Sequence, residues 1–389
     1  MTAPTIGTVL YRYDTDYNLT EVEHPGSVIR RYHYENTTFK GALTGITDEL
    51  GVRYATFGYD GYGSATLTYL AGNVNRWSIA QVSGKLRVTD PRGYTIDQTY
   101  VNSQGVAKLT SSTQPCAACG GAGAASAYSY DTNGNLASKV DFNGKKTCYA
   151  YDGTRNLETA RLEGATSAED CTTVLETPPD RPDVRKVTTT WHATWRQPAS
   201  IVEPAPGGTK TTAFTYDASG NLTQRKITAP KNDDTSTSIT RTWKWSYGSY
   251  GRVLTATDPN NKVTTTGYHP DDDPDTGRRG QVATVTNPLG HVAQYPTYDL
   301  AGRLTSTIDP NGVLTTLAYD ARGRLVSRVV GGEETTYTYD LAGQLTEVEL
   351  PDGALVEYVY DPAHRLTEIR DGLGNRIVYT LDAVGNRTQ

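Results

Sequence analysis

One short phrase recurs along this chain at a fixed beat. Tyr339-Asp340-Leu-Ala-Gly343-Gln-Leu345 returns as Tyr360-Asp361-Pro-Ala-His364-Arg-Leu366, 21 residues further on. Counting back from Leu381, the residue before an Asp falls at Tyr360, Tyr339, Tyr319 and Tyr298, in steps of 21, 21, 20 and 21. The pair recurs at Tyr130-Asp131 and Tyr151-Asp152, again 21 apart, with Tyr216-Asp217 and Tyr59-Asp60 as isolated copies. Tyr13 to Tyr34 and Tyr247 to Tyr268 keep the same interval. A repeat of this length is one supersecondary unit that cannot bury an apolar face alone, so neighbouring copies must stack.

Between the Tyr-Asp pairs lies a second signal. Asp48-Glu-Leu-Gly51, Asp90-Pro-Arg-Gly93, Asp141-Phe-Asn-Gly144, Asn287-Pro-Leu-Gly290, Asp309-Pro-Asn-Gly312 and Leu350-Pro-Asp-Gly353 all spell turns. Asp or Asn bonds the backbone two residues on, Pro presets φ, and Gly accepts positive φ where the chain returns. In the last repeats the punctuating positions are Gly302, Gly312, Gly323, Gly332, Gly343, Gly353, His364, Gly374 and Gly385, so a turn arrives at every tenth or eleventh residue. Stretches such as TTYTYD (335–340) and ALVEYVYD (354–361) alternate as half-buried strands do. One repeat is therefore one β-hairpin, and the chain is expected to be all-β: a long antiparallel ribbon of 21-residue hairpins forming a curved, open single sheet.

Each motif residue has an expected task. Tyr ends a strand, its ring covering a same-face neighbour and its hydroxyl wet or bonded. Asp opens the turn by accepting a backbone N–H, and the Gly three residues on takes the left-handed conformation. The positions concerned are Tyr130, Asp131, Tyr151, Asp152, Tyr216, Asp217, Tyr298, Asp299, Gly302, Tyr319, Asp320, Gly323, Tyr339, Asp340, Gly343, Tyr360, Asp361 and His364. His364 stands where Gly is expected, which predicts positive φ there. The arginines that follow (Arg252, Arg303, Arg324, Arg365) are expected to pair with an Asp of an adjacent turn.

Composition agrees with thin layers. Hydrophobic residues make up 36% of the chain, with only 4 Phe and 1 Met against 27 Tyr, so a thick oily interior is not expected. The net charge of −6 is interleaved in sign, which disfavours nucleic-acid binding. Residues 1–14 hold no basic segment followed by an apolar core, so no signal peptide is expected in this segment, and no stretch approaches the roughly 18 apolar residues of a membrane span. Repeat text runs from Tyr13 to Gln389 without atypical ends, so the chain is expected to be a piece of a longer protein.

The Tyr-Asp-x-x-Gly-Arg-Leu phrase at this period resembles the YD repeat of the bacterial Rhs family, also found in toxin-complex shell subunits and teneurins. Longer phrases resemble the Rhs version: SSTQPCAACGG (111–121), YDGTRNLETARLEG (151–164), TTTWHATWRQPASIVEP (188–204), DPNGVLTTLAYDARGRL (309–325) and YDPAHRLTEIRDGLGNRIVYTLDAVGNRT (360–388). The resemblance implies a sheet that spirals into a hollow shell enclosing a C-terminal toxin segment. The Asp-Pro-rich ending at which such shells release their cargo is missing, so this chain is expected to be part of a shell wall with an exposed edge.

The resemblance also implies a secreted or cell-surface protein, non-catalytic in itself. Its partners would be the toxin cargo and the remainder of the shell, and a secretion machine or cell-surface partner. No cofactor, metal or nucleic acid is expected. The alternative is an extracellular β-repeat surface that binds carbohydrate or a cell-surface partner. Residues 1–389 read as one partial shell: divergent repeats over 1–110, interrupted Cys-containing repeats over 111–215 and regular repeats over 216–389.

The remaining candidates each have a plainer explanation beside the functional one. Cys116, Cys119, Cys148 and Cys171 are disulfide candidates, Cys148–Cys171 closing a loop and Cys116–Cys119 a tight local bridge. Zinc, which lacks a second CxxC, and buried thiols are the alternatives. His192 with Trp191, Trp195, Trp243 and Trp245 could form a sugar platform, though indoles filling the sheet where the repeat is interrupted is the simpler reading. No G-x-S-x-G elbow anchors a catalytic Ser. Asp271-Asp272-Asp273-Pro274-Asp275 lacks calcium-loop spacing and reads as a solvated loop. Segments 163–186 and 228–240 read as excursions from the sheet.

Overall fold

The computed structural model describes residues 7–115, 124–231 and 234–388. The described residues form one sheet of 31 strands, each pairing antiparallel with the next in sequence. The first strand, Leu10–Tyr13, and the last, Arg376–Val378, have one strand neighbour each, so the sheet is open. The only α-helix among the described residues is Cys171–Glu176. The expected ribbon of hairpins is thus the observed one.

The two turn types differ in one respect that shapes the molecule. At each Tyr-Asp turn the register shifts by one residue beside the Tyr: Ala318 pairs with Ser327 but Tyr319 with Leu325, and the same slip recurs at Tyr130, Tyr216, Tyr268, Tyr339 and Tyr360. At most of the opposite turns the register is unbroken, as in Thr307↔Thr315 and Ile308↔Leu314 or Val348↔Val356 and Glu349↔Leu355, with slips at Ile46/Thr47, Thr68/Leu70 and Pro230/Lys231. A bulge bends its strand and adds right-handed twist. Bulges at every Tyr-Asp turn and few along the other rim make a ribbon that coils.

The coil returns on itself. His364 bonds Asp48 across a sequence separation of 316, Arg322 bonds Glu49 across 273, and the Asn75 amide donates to Ala383 O at 2.8 Å. The N-terminal hairpins therefore lie against the C-terminal turns, one circuit of the ribbon later.

The interior is thin. The chain exposes 22557 Å², against about 15,000 Å² for a compact globule of this mass. The one continuous dry cluster among the described residues is Cys148, Leu162 and Ala165, each fully buried, with Val174. Cys148 and Cys171 are joined by a disulfide with Cα atoms 5.3 Å apart, closing a separation of 23 residues; Cys116 and Cys119 lie outside the described residues. The short helix sits over this cluster, its N-terminus capped by Asp170 Oδ1, which accepts from Thr173 N at 3.1 Å. Gly164 is obligatory beneath it, because a Cβ there would lie 1.9 Å from Asp183 O.

Segment 163–186 thus leaves the sheet after Thr166 and returns at Arg185. Segment 228–240 does not leave it: Leu222–Lys231 and Asp234–Tyr247 stay paired from Gln224↔Lys244 to Pro230↔Ser238, forming one long hairpin. Its Thr-rich composition reflects strand propensity, not a loop.

Leu162→Ala empties the dry cluster and should cost about 2–5 kcal/mol locally. In a quasi-one-dimensional array the loss stays near its source. Hydrogen exchange should therefore accelerate over 145–190 and remain unchanged over 298–360.

Candidate functional site

The repeated residues build a ladder, not a pocket. From Tyr151 onward each motif Tyr donates its hydroxyl to a backbone carbonyl of the preceding repeat, at the first strand residue past its turn, whereas Tyr130 reaches Leu109 O at 2.8 Å and Tyr59 reaches Leu43 O at 2.9 Å. Tyr319 reaches Leu304 O at 2.9 Å, Tyr339 reaches Leu325 O at 2.9 Å, and Tyr360 reaches Leu345 O at 3.0 Å. The same bond joins Tyr298 to Val282 O, Tyr268 to Val253 O, Tyr247 to Leu222 O, Tyr216 to Pro198 O and Tyr151 to Leu136 O. Burial pushes up the phenols of Tyr151, Tyr216, Tyr247, Tyr298, Tyr319, Tyr339 and Tyr360, Tyr151 to about 12 with help from nearby Glu158, so these hydroxyls remain donors at ordinary pH. Where Trp191 replaces Tyr, its indole Nε1 donates to Glu158 O at 2.8 Å. That indole is a rung of the ladder, while Trp195 covers Gly220.

Each Asp organises its own turn. Asp320 Oδ1 accepts from Arg322 N and Arg324 N, both at 2.9 Å, while Gly323 N donates to Asp320 O at 3.0 Å. This is the bonding of a three-residue hairpin loop ended by a left-handed residue; Gly323 has φ 85 and His364, in the same position, φ 62. At Asp217 the Asn221 side chain holds the carboxyl below its usual range. At Asp299 and Asp320 burial opposes ionisation, but hydrogen bonds from the backbone and side chain of the following Arg outweigh it, and both are lowered.

The arginines bond their own turns, not only the next. Arg303, Arg324 and Arg365 donate Nε to Asp299, Asp320 and Asp361 at 2.6, 2.7 and 2.7 Å. Arg324 then lies over the Tyr339 ring, 4.8 Å from its centroid, and donates to Asp340 O at 3.0 Å. Arg365 likewise reaches Asp382 O at 3.1 Å. Arg252, whose turn has no Asp, bonds Asp271 of the next repeat, the adjacent-turn pairing expected for all four. A side chain five residues after a Tyr can satisfy its own turn first because the turn folds it back.

The seam between coils carries the most buried charge. Glu49, with its side chain 1% exposed, accepts from Arg30 Nη2 at 3.0 Å and from Arg322 Nη2 at 3.2 Å, with His24 Nε2 at 3.6 Å. Asp48, equally buried, takes His364 Nε2 at 2.8 Å, and the His364 ring stacks on Tyr54 at 4.3 Å. His364 is thus more than a tolerated substitute for Gly: its ring reaches the neighbouring coil.

The other candidates resolve locally. Asp273 is not solvated but buried, bonded by Arg278 Nε at 3.0 Å, with its carbonyl accepting from Arg279 at 2.7 Å. His192 lies edge-on to Tyr216 and accepts at Nδ1 from the Thr194 and Trp195 amides. Among the described residues no group of three or more His, Cys, Asp or Glu is placed to hold a metal ion, and no helix is long and apolar enough to cross a membrane.

A coiled antiparallel ribbon with a Tyr-Asp turn per repeat defines the class: a β-hairpin repeat ribbon. The RHS Repeat family matches residues 278–314, 298–331, 319–355 and 360–389, so this part of the chain is built of RHS repeats, and the same turn geometry recurs upstream. Solved structures with a similar fold include the Tc holotoxin pore of Photorhabdus luminescens and the TcdB2–TccC3 complex, each 15% identical with a TM-score of 0.57 over 97% of this chain. This chain spans 19% and 20% of the length of those chains. No curated protein sequence matches it significantly.

Tyr339→Phe removes one rung and leaves Leu325 O without its donor, for an expected loss of about 1–2 kcal/mol with faster amide exchange in the two flanking hairpins. Tyr62→Phe is the control: Tyr62 is 91% exposed, and its melting curve should not move. Acid provides a second test. Because Asp217, Asp299 and Asp320 titrate lower folded than unfolded, their contribution is complete above the unfolded value of about 4 and is lost as pH falls through the folded values. Melting temperatures measured from pH 7 to 2 should drop most steeply below about pH 4.

Proposed function

We propose that this chain is a segment of the wall of a hollow Rhs-type shell that encloses a C-terminal toxin payload and performs no catalysis itself. The observation that carries the reading is the seam: the ribbon completes a circuit and bonds its own earlier turns through Glu49–Arg322 and Asp48–His364. A wall wound in this way extends by adding repeats, and stacked coils exclude proteases from what they surround. The reading treats 1–389 as one wall with divergent (1–110), interrupted (111–215) and regular (216–389) stretches. Its partners are the rest of the shell and the cargo of a longer, exported polypeptide. The carbohydrate-binding alternative loses its best carrier, because Trp191 is engaged in the ladder.

Limited proteolysis of the full parent polypeptide tests this. The payload should resist trypsin while the wall is intact, and Arg322→Glu, which sets a carboxylate against Glu49, should speed its cleavage at least tenfold. A payload digested equally fast with and without the wall, or a parent reading frame that carries no cargo, overturns the proposal.

A further inference from the structure

Arg303, Arg324 and Arg365 fill equivalent seats after successive Tyr-Asp turns, and Gln344 occupies the remaining one between them. In the fully filled seat Arg324 bonds Asp320 of its own turn, lies on the Tyr339 ring and reaches Asp340 O; Arg303 makes the first two of these contacts and Arg365 the first and third. Gln344 completes only the first of these contacts, donating Nε2 to Asp340 Oδ2 at 3.0 Å. Its own Oε1 is buried without a hydrogen-bond partner. Asp361 O accepts the turn amide of His364 at 2.9 Å and no side-chain donor from Gln344. What the shorter side chain leaves is a cavity of about 360 Å³ lined by Asp340, Gln344, Tyr360 and Asp361, with Asp48 facing it from across the seam. The corresponding gap one repeat earlier, beside the seated Arg324, is about 240 Å³.

We propose that this cavity binds a guanidinium group, presented as an arginine side chain by a partner polypeptide. The donors that line the site are already spent, His364 Nε2 on Asp48 at 2.8 Å and Gln344 Nε2 on Asp340 at 3.0 Å, so what remains is the complement of a guanidinium: five N–H donors in a planar fork and no acceptor. Gln344 Oε1 and Asp361 O supply unfilled acceptor positions, Asp340 and Asp48 supply negative charge, and the Tyr360 face supplies the stacking surface. The site is also held in place before anything binds. The Tyr360 hydroxyl is fixed on Leu345 O at 3.0 Å, and Asp48 is held by His364 and by the amides of Leu50 and Val52. A lysine ammonium is a compact charge that cannot both lie flat on the ring and bond two acceptors at its edge.

Titration of the full chain with N-acetyl-L-arginine methylamide, against the lysine analogue, tests the proposal by calorimetry or by chemical-shift changes at Tyr360. The expected result is saturable binding of the arginine probe, at least tenfold tighter than the lysine probe. Gln344→Arg should seat its own guanidinium, as the sibling repeats do, weaken arginine binding at least tenfold and raise the melting temperature. Absence of saturable binding to the unaltered chain, equal affinity for the lysine probe, or undiminished binding to a folded Gln344→Arg variant overturns the site.

Discussion

The structure depends on one bond type made over and over: a tyrosine hydroxyl reaching back across a hairpin to a main-chain carbonyl. Taken singly it is worth about 1 kcal/mol net. Its weight comes from position. Hairpins in this ribbon touch only their neighbours, and a lone hairpin is marginal in water. The phenol crosses from one Tyr-Asp turn to the previous one, so each turn is held by the repeat that follows it. Phe could cover the same surface but would orphan the carbonyl, which explains why a chain with 27 Tyr has 4 Phe. Trp191 shows what the position requires: an indole N–H is accepted because it too is a flat ring with a donor at its far end.

Curvature follows from the same turns. A bulge beside each Tyr, with the register mostly unbroken at the opposite rim, coils the ribbon without any apolar core to wrap around. Coiling brings distant turns together, and the seam then has to fix which turn meets which. Charge suits this task better than greasy contact. Glu49 is desolvated, and burying it without Arg30 and Arg322 would cost about 3–5 kcal/mol. A coil displaced by one repeat would lose Arg322 from Glu49 and His364 from Asp48 together, so the seam specifies alignment even where it adds little net stability.

The features legible in the sequence were those set by neighbours a few residues apart. Asp320 and Gly323 declare their turn because the carboxylate bonds amides two and four residues on, and strand alternation follows from the pleat. His364 could be assigned a left-handed φ from its place in the motif, yet nothing local marks its ring as the partner of Asp48, 316 residues away. The hydroxyl partner of each Tyr was likewise hidden, since it lies in the preceding repeat at a distance in sequence that varies from 14 for Tyr339 to 25 for Tyr247. Segment 228–240 carries the threonine and proline common in loops yet stays in the ladder, because Pro230 sits near the free end of a long hairpin with little ladder left to break.

Where the beat of the repeat is interrupted, the chain supplies substitute contacts, and the dry apolar cluster lies there. Between Tyr151 and Trp191 the array loses its next-neighbour Tyr, and there the disulfide, the capped helix and the dry cluster around Leu162 are found. Between Tyr268 and Tyr298 the added residues fold around Asp273, with Arg278 neutralising it and Arg279 bonding its carbonyl. In the regular stretch from Tyr298 to Tyr360 no such insert occurs, and only Asp299 and Ser306 are buried. Conventional packing is thus used as a local repair. The ladder needs none where its period is kept, because every carbonyl past a turn meets a hydroxyl from the next repeat. Only a lengthened connection leaves backbone and apolar surface that a disulfide, helix or ion pair must cover.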